Sequence, residues 1–228
     1  MSIFNTLTAV CPECATPQMV KVVASINADR RPDLRQQILD RTFQEQSCPS
    51  CGFTFRLPPR FTYQHFAGNL WIIAHPRYDL PKWRELEEEA HEVFDVAFGP
   101  GSSPLAQELA GHISPRVTFG WPALREKLVA QEAGLQDVEL ELLKMAVIRQ
   151  VPGAQLSDET ELRLDRVEGG ELVLVWTEGL TEATLKAVHV PRSAYDEIAA
   201  DTEGWAALRA QLTGHVFVDL NRLLVPAA

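Results

Sequence analysis

The sequence predicts an α+β protein, in which a small β-rich N-terminal unit with one inserted helix is followed by an α+β part whose strands are mostly antiparallel. Residues 20–26 and 53–57 alternate between apolar and polar side chains, as half-buried strands do. Residues 81–97 instead place apolar side chains at helical spacing. Near the C-terminus, a Gly-Gly pair that suits a tight hairpin turn joins 161–167 and 171–177, which indicates antiparallel pairing.

The predicted N-terminal domain covers residues 1–75. A short helix is expected over 31–39, because Pro32 suits the first helical turn and because Leu34 and Ile38, four residues apart, lie on one face. The helix is inserted between segments with strand patterns. The strands predicted in this domain are 20–26, 53–57, 61–65 and 70–74.

A second domain, of α+β type, is predicted over residues 76–228. The Gly-Pro-Gly-Ser-Ser-Pro stretch at 99–104 follows its first helix and is the best candidate for a linker, because glycine and proline interrupt regular structure. The later elements are inferred from apolar periodicity and from turn residues. They are strands at 116–120, 161–167, 171–177, 184–190 and 216–220, and helices at 122–133, at 137–150 and after Pro191.

Composition and charge restrict the classes of function. The 228 residues are 46% hydrophobic and 23% charged, as in globular proteins. The N-terminus has no basic or long apolar leader, and the strongest apolar run, 69–74, is far shorter than the roughly 20 residues that span a bilayer, so we expect a cytoplasmic protein with no membrane partner. The formal charge of −10 divides into +2 for residues 1–66 and −12 for the rest. Because negative charge repels a phosphate backbone, a protein is a more favoured partner than a nucleic acid.

Four cysteines, which are all that the chain contains, form the strongest motif. Two residues separate Cys11 from Cys14 and Cys48 from Cys51, and proline follows the first cysteine of each pair. Two such turns direct four sulfur atoms at one ion and complete a tetrahedral site. We therefore predict a structural zinc ion bound by Cys11, Cys14, Cys48 and Cys51 in a zinc-ribbon-like unit. Because four thiolates leave no position for water, this zinc is not expected to catalyse a reaction.

Three other interpretations of the cysteines compete with zinc: structural disulfides, a redox dithiol, and iron in a rubredoxin-like site. A cytosolic compartment disfavours disulfides, and a redox motif needs one Cys-x-x-Cys pair rather than two. A four-sulfur site accepts iron as well as zinc. The 33 residues between Cys14 and Cys48 exceed the roughly 15 to 20 of common zinc ribbons, an excess that the inserted strand and helix explain. Gly52 follows the second pair but Ala15 follows the first, so the two turns need not be equivalent.

No other motif indicates a reaction class. His91 and Glu92 resemble the start of a His-Glu-x-x-His metalloprotease motif, but Asp95 stands in place of the second histidine. We interpret the neighbouring glutamates as the solvated face of a helix and the tryptophans as parts of the core. The glutamates are Glu85, Glu87, Glu88 and Glu89, and the tryptophans are Trp71, Trp83, Trp121, Trp176 and Trp205.

The doubled Cys-Pro-x-Cys motif occurs together with Ile26-Asn27, with a Pro32–Leu39 helix and with Phe43. In this combination, about the first 60 residues closely resemble the bacterial and archaeal CpXC domain family. Because that family is functionally uncharacterised and is defined by its cysteines, the resemblance implies the four metal ligands and no catalytic residue. Segments similar to longer members of the family are 117–120, 124–128, 134–137 and 141–144.

Three hypotheses for function follow. The first is a non-catalytic, zinc-stabilised protein that binds a protein partner through its N-terminal unit or its acidic C-terminal surface. It predicts an exposed apolar patch and no deep polar cleft. The second is a nucleic-acid-binding zinc ribbon that uses the arginines of the first domain. The third is an enzyme whose site lies in the C-terminal part, with acidic residues and His189 or His215 as participants, which requires a concave pocket with convergent titratable groups. The arginines of the second hypothesis are Arg30, Arg31, Arg35, Arg41, Arg56 and Arg60.

Overall fold

A computed structural model describes residues 2–150, 160–179 and 181–224. Its strands are β1 (Ile3–Val10), β2 (Pro17–Asn27), β3 (Glu45–Ser47), β4 (Thr54–Arg56), β5 (Phe61–His65), β6 (Leu70–His75), β7 (Ser114–Phe119), β8 (Thr160–Glu168), β9 (Glu171–Glu178) and β10 (Thr184–Pro191). Its helices are α1 (Pro32–Leu39), α2 (Trp83–Phe98), α3 (Pro104–Ala110), α4 (Trp121–Glu132), α5 (Asp137–Gln150), α6 (Arg192–Ala200), α7 (Ala206–Leu212) and α8 (Asn221–Leu224), with 3-10 turns at Phe66–Gly68 and Arg77–Lys82. This mixture of helices and strands confirms the predicted α+β class. Among the described residues, none of the helices has both the length and the apolar character needed to cross a membrane.

The larger sheet has the strand order β1-β2-β5-β6-β7. The pairs β1–β2 and β5–β6 are antiparallel, whereas β2–β5 and β6–β7 are parallel. β7 pairs with β6 so that Ile72 lies beside Arg116, and the sheet thus contains strands from both sides of the predicted domain boundary at residue 75. The division into two domains, with a linker at 99–104, stays a prediction.

Around β6 both faces of the larger sheet are covered, and the side chains of this strand alternate between the two faces. Ile72 and Ala74 of β6 pack in one buried cluster with Leu124 of α4. The intervening Ile73 packs in a second cluster, with Trp83 of α2. The sheet therefore lies between α4 on one side and α2 on the other.

The smaller sheet has the order β10-β9-β8 and is antiparallel throughout. Gly169 and Gly170 form the turn between β8 and β9, and their positive φ angles of 58° and 83° confirm the predicted hairpin. Leu164 of β8 belongs to a buried cluster that also contains Leu143 of α5 and Tyr195 of α6. Helices α5 and α6 thus pack against this second sheet.

Buried charged side chains from several elements form what we call the ionic cluster. Its members are Glu126, Glu141, Lys144, Glu161, Arg163 and Asp219, each of them at most 4% exposed. Lys144 Nζ lies 3.0 Å from Glu126 Oε2 and 2.7 Å from Glu141 Oε1. Burial lowers the pKa of Lys144, but the two carboxylates outweigh this effect and raise it, so Lys144 is charged in the folded protein. Burial, assisted by Asp219 and Glu126, raises the pKa of Glu141 to about 7 against the opposing effect of Lys144.

Arg163 of β8 attaches the C-terminal segment to the ionic cluster. Its Nη1 atom lies 3.0 Å from Glu126 Oε2 and 2.5 Å from Asp219 Oδ2. The same guanidinium group also pairs with Glu161. Glu126 Oε1 accepts a hydrogen bond of 2.7 Å from the N–H of Leu164. One carboxylate of α4 therefore binds both a side chain and the backbone of β8.

Residues 216–220 are irregular, so the strand predicted there is wrong. The N–H groups of Val216 and Phe217 donate to Glu87 Oε1, each at 3.1 Å, instead of to a neighbouring strand. Glu87 is only 8% exposed, so its interpretation as part of a solvated helix face is also wrong. The alternation of apolar residues at 216–220 indicates that the segment is buried. It does not show whether a strand or a side chain accepts the hydrogen bonds of its backbone N–H groups, and for this reason the strand prediction failed.

Lys144→Met removes the cation that two buried carboxylates share. Breaking a buried ion pair leaves an uncompensated charge, so we expect the free energy of unfolding to fall by about 3–5 kcal/mol. Urea denaturation followed by circular dichroism measures the change. The matched control is Lys186→Met at an exposed position of β10, where we expect a change within about 0.5 kcal/mol. Equal effects of the two substitutions would show that the ionic cluster does not stabilise the fold.

Candidate metal centre

Two hairpin turns carry the four cysteines. β1 and β2 form the first hairpin, with Cys11 and Cys14 in its turn. β3 and β4 form the second, much shorter hairpin, with Cys48 and Cys51 in its turn. The structure brings these turns together although Cys14 and Cys48 are 34 positions apart in the chain.

The four sulfur atoms form a compact group, within 4.8 Å of one another. The Sγ atoms of Cys11 and Cys51 are 3.8 Å apart, and those of Cys14 and Cys48 are 3.6 Å apart. An ion with tetrahedral metal–sulfur bonds of about 2.3 Å separates its sulfur ligands by about 3.8 Å. A disulfide needs an S–S distance of about 2.05 Å, and all four cysteines are free thiols. The group is therefore compatible with one metal ion bound by four cysteines, whose role as ligands stays a prediction.

The two turns have the same backbone arrangement despite their different sequences. In each, the N–H of the first cysteine, Cys11 or Cys48, donates to the carbonyl oxygen five residues later, at 3.0 or 2.8 Å. The N–H of Ala15 or Gly52 donates back to that first cysteine, and both residues have positive φ angles, 57° and 74°. The structure thus makes the turns equivalent, where the sequence allowed a difference. Ala15 adopts a left-handed conformation that costs free energy in a residue with a Cβ atom.

Burial and hydrogen bonding differ among the four thiols. Cys11 and Cys48 are buried, whereas Cys14 and Cys51 are exposed. The hydroxyl and the backbone of Thr16 lower the pKa of Cys14 to about 6. A backbone hydrogen bond lowers the pKa of Cys51, but partial desolvation of its sulfur and the neighbouring thiols raise it to about 12. The pKa of Cys14 therefore lies below that of Cys51, and a bound cation would displace the proton of a thiol that it binds.

The other residues considered from the sequence do not join this group. His189 Nδ1 lies 3.1 Å from Glu171 Oε2, and His215 Nδ1 lies 3.7 Å from Glu87 Oε1. Within the described parts of the chain, no second set of three or more His, Cys, Asp or Glu side chains is placed to bind a metal. Of the tryptophans, Trp205 is half-buried and the others are buried, as core residues are.

Most of the arginines considered for nucleic-acid binding pair with acidic side chains. Arg41 Nη2 lies 2.6 Å from Asp165 Oδ1, and Arg56 Nη1 lies 3.3 Å from Glu182 Oε2. These pairs reduce the charge that is available to a phosphate backbone. The further pairs are Arg31 with Asp33, Arg35 with Glu132 and Arg60 with Asp79.

Sequence reasoning missed β1, the first strand of the cysteine-bearing hairpin. Its residues are rich in β-branched and aromatic types and contain no glycine or proline, which was the available signal. Ile3, Leu7 and Val10 of this strand are 51%, 44% and 59% exposed. The hairpin that carries the first cysteine pair thus also carries exposed apolar side chains.

A family model of CpXC proteins matches residues 9–144, which is more than half of the 228-residue chain. The chain belongs to the CpXC family. The CpXC match includes both cysteine pairs and ends at Lys144, and it confirms the resemblance found near the N-terminus and in the segments downstream. No curated protein and no solved structure gives a significant match. Membership of the CpXC family supports a four-cysteine metal site and identifies neither a reaction nor a partner.

Ala15→Gly removes the Cβ atom from the left-handed position of the first turn. We expect the free energy of unfolding to rise by about 0.5–1 kcal/mol, because relief of strain exceeds the added freedom of the unfolded chain. The matched control is Gly52→Ala in the second turn, where no atom lies within 4 Å of the new Cβ, so a loss of about 1 kcal/mol would report backbone strain alone. Chemical denaturation at equal metal content measures both changes. Shifts of the same sign would contradict the equivalence of the turns.

Proposed function

We propose that the four cysteines bind one structural zinc ion in this CpXC protein. The sulfur–sulfur distances of 3.6 and 3.8 Å carry the proposal, because they match the edges of a zinc–sulfur tetrahedron. Thiolates are soft ligands that select zinc or iron over hard cations, and four cysteines are a usual ligand set of structural zinc. With all four positions filled by sulfur, the ion stabilises the fold and does not activate water.

Zinc would stabilise two hairpins that have little strand pairing with the rest of the protein. β3 and β4 have three residues each, and an isolated two-stranded hairpin is marginal in water. β2 pairs with β5 only at residues 25–27, so most of the β1–β2 hairpin extends beyond the rest of its sheet. An ion between the turns joins the ends of both hairpins. The proposal includes a cytoplasmic location, because a reducing compartment maintains free thiols.

Metal analysis of purified protein by mass spectrometry should find about one zinc per chain. A chelator should lower the unfolding temperature and should remove hydrogen-exchange protection from the two hairpins before it affects β9, and added zinc should restore both. Cys48→Ser should reproduce the loss without a chelator. Metal-free protein with protected hairpins and reactive thiols would overturn the proposal of a structural zinc ion and favour redox chemistry at the cysteines. Bound iron, detected by its visible absorbance, would show that the site holds iron instead of zinc.

We further infer that the outer edge of β1 binds another protein. β1 is the last strand of its sheet, and no described strand pairs with its outer side. The eight residues Ile3–Val10 include no charge and no proline, although edge strands normally carry such residues to prevent pairing. Ile3 and Leu7, on one face of this edge, are about half exposed. The edge therefore suits an extended, uncharged, apolar segment of a partner, which would add a strand to the sheet.

Two other sheet edges of the protein are protected. At the opposite edge of the larger sheet, the N–H of Val117 donates to Val216 O at 2.9 Å. At the edge of the smaller sheet, β10 carries Lys186 and Pro191. Because the edge of β1 lacks such protection against strand pairing, it favours a protein partner. A nucleic acid is less favoured, because its binding would need the arginines that already pair with acidic side chains.

Leu7→Lys places a charge on the open edge and should weaken partner binding at least tenfold. The matched control is Met19→Lys, because Met19 lies on the inner strand β2 and is also highly exposed, at 69%. Affinity purification with the wild type and both variants selects partners lost only with Leu7→Lys. Each such partner, purified, should protect the β1 amides from hydrogen exchange, and light scattering tests whether a second copy does so. Edge binding is wrong if every partner tolerates Leu7→Lys or leaves β1 unprotected.

A further inference from the structure

A groove of about 760 Å³ opens beside the second cysteine-bearing hairpin. We call it the arginine groove. Its walls include the β3–β4 hairpin, the Pro58-Pro59 segment, the 3-10 turn that begins at Arg77, and described residues between β9 and β10. Small-ligand sites have volumes of roughly 300–1,000 Å³. The four cysteines and β1 do not line this groove, although Pro12, between Cys11 and Cys14, does.

The groove is lined by positive charge although the chain is acidic. Arg41, Arg56 and Arg77 line it, together with a single carboxylate, Glu182. The acidic partners of Arg41 and Arg77, which are Asp165 and Glu161, lie outside the lining. The chain as a whole has a formal charge of −10. A concave surface with excess positive charge concentrates the electric field and attracts anions.

Three contacts hold Arg56 in the lining of the groove. Its Cζ atom lies 3.9 Å from the centre of the Trp121 ring, and its Nε donates to Phe43 O at 2.9 Å. Nη1 donates to Glu182 Oε2 at 3.3 Å. Nη2 is buried and has no hydrogen-bond partner among the described residues. Three contacts thus fix a guanidinium group that still has an unsatisfied donor, and such a preorganised fork suits a carboxylate or phosphate.

Neighbouring cations leave this site short of negative charge. Arg41 and Arg125 share one acid, with their Nη atoms 2.6 and 2.8 Å from Asp165 Oδ1. Burial lowers the pKa of Arg56 to about 10, and Arg41 and Arg125 add to this effect although Glu182 opposes it. A second anion beside Arg56 would relieve this repulsion.

Glu182 occupies the position that such an anion would take. Its φ angle of 59° is left-handed, which is costly for a residue with a side chain. Burial raises the pKa of its carboxyl group, with Arg56 as the main opposing influence. Its contact with Arg56 uses one nitrogen and is long for a charged hydrogen bond. A ligand with a better-placed anion could therefore displace Glu182.

The rim of the groove is aromatic. Phe53 and Tyr78 both line it and are 41% and 64% exposed. Pro58 and Pro59 lie beside them in the lining. Exposed aromatic rings and prolines next to the arginine side chains suit a ligand with a planar apolar part.

We propose that the arginine groove binds a small ligand that carries a phosphate or carboxylate group and a planar ring. The anion replaces the Glu182 carboxylate on Nη1 and Nη2 of Arg56, while the ring lies against Phe53 and Tyr78. Glu182 is thus an internal competitor of the ligand.

Calorimetric titration of the full chain with phenyl phosphate, phenylacetate and inorganic phosphate tests the proposal. At least one ring-bearing anion should bind more tightly than inorganic phosphate. The affinities of phenyl phosphate and phenylacetate show whether the groove prefers a phosphate or a carboxylate. Glu182→Gln should tighten binding about tenfold, because a neutral amide competes less for Arg56. Arg56→Lys should weaken binding at least tenfold, because lysine keeps the charge but lacks the fork.

The matched controls are Glu132→Gln and Arg35→Lys, because Arg35 and Glu132 form a pair at the same 3.3 Å and the Arg35 side chain is also 16% exposed. Both controls should bind as the wild type does. A misfolded Glu182→Gln variant would not bind the ligand more tightly, so a gain in affinity cannot come from misfolding. Circular dichroism checks the fold of Arg56→Lys. The proposal is overturned if neither phenyl phosphate nor phenylacetate binds at millimolar concentration. It is also overturned if Glu182→Gln leaves the affinity unchanged or weakens it.

Discussion

Glu126 is the residue that joins the two sheets. It lies on α4, whose Leu124 packs against the larger sheet. Its carboxylate is 1% exposed and binds Lys144 of α5, Arg163 of β8 and the N–H of Leu164. A carboxylate is tolerated at such depth only when its oxygen atoms are fully bound. Small shifts of α5 or β8 would break these contacts, so the electrostatic requirement of one side chain restricts the relative position of three elements.

The features that sequence predicted are those encoded locally. Strands such as β5, the helix that begins at Pro32 and the Gly169-Gly170 hairpin follow from periodicity and turn chemistry within a few residues. The meeting of Cys14 with Cys48 was also predictable, because the chemistry of thiolates implies that two Cys-x-x-Cys turns share an ion.

Features that depend on distant partners were not predictable in this way. Glu87 follows the pattern of a solvated helix face, and only the irregular chain at Val216 and Phe217 makes its burial favourable. Lys144 and Glu141 likewise resemble an ordinary helical surface pair, although both are buried. Helical spacing cannot distinguish a solvated charge from one that faces a partner distant in sequence. The arginine groove was not predictable for the same reason, because its lining residues come from segments that are distant in sequence.

The metal centre and the arginine groove share one structural element. The β3–β4 hairpin has Cys48 and Cys51 in its turn, and Phe53 and Arg56 line the groove. With strands of only three residues, the hairpin has little intrinsic stability. An ion that orders its turn therefore also orders a wall of the groove, so a bound metal and a bound anion would favour the same conformation.

The segment at 216–217 has a consequence for biosynthesis. It binds Glu87 from 129 and 130 positions away, and it also caps the exposed edge of β7. During translation, the CpXC region, which ends at Lys144, leaves the ribosome well before this segment does. In that interval Glu87 has no backbone donors from the segment, and β7 presents an open edge of the kind that pairs with other chains. The region that matches the family model thus lacks these contacts until residues outside it have been synthesised.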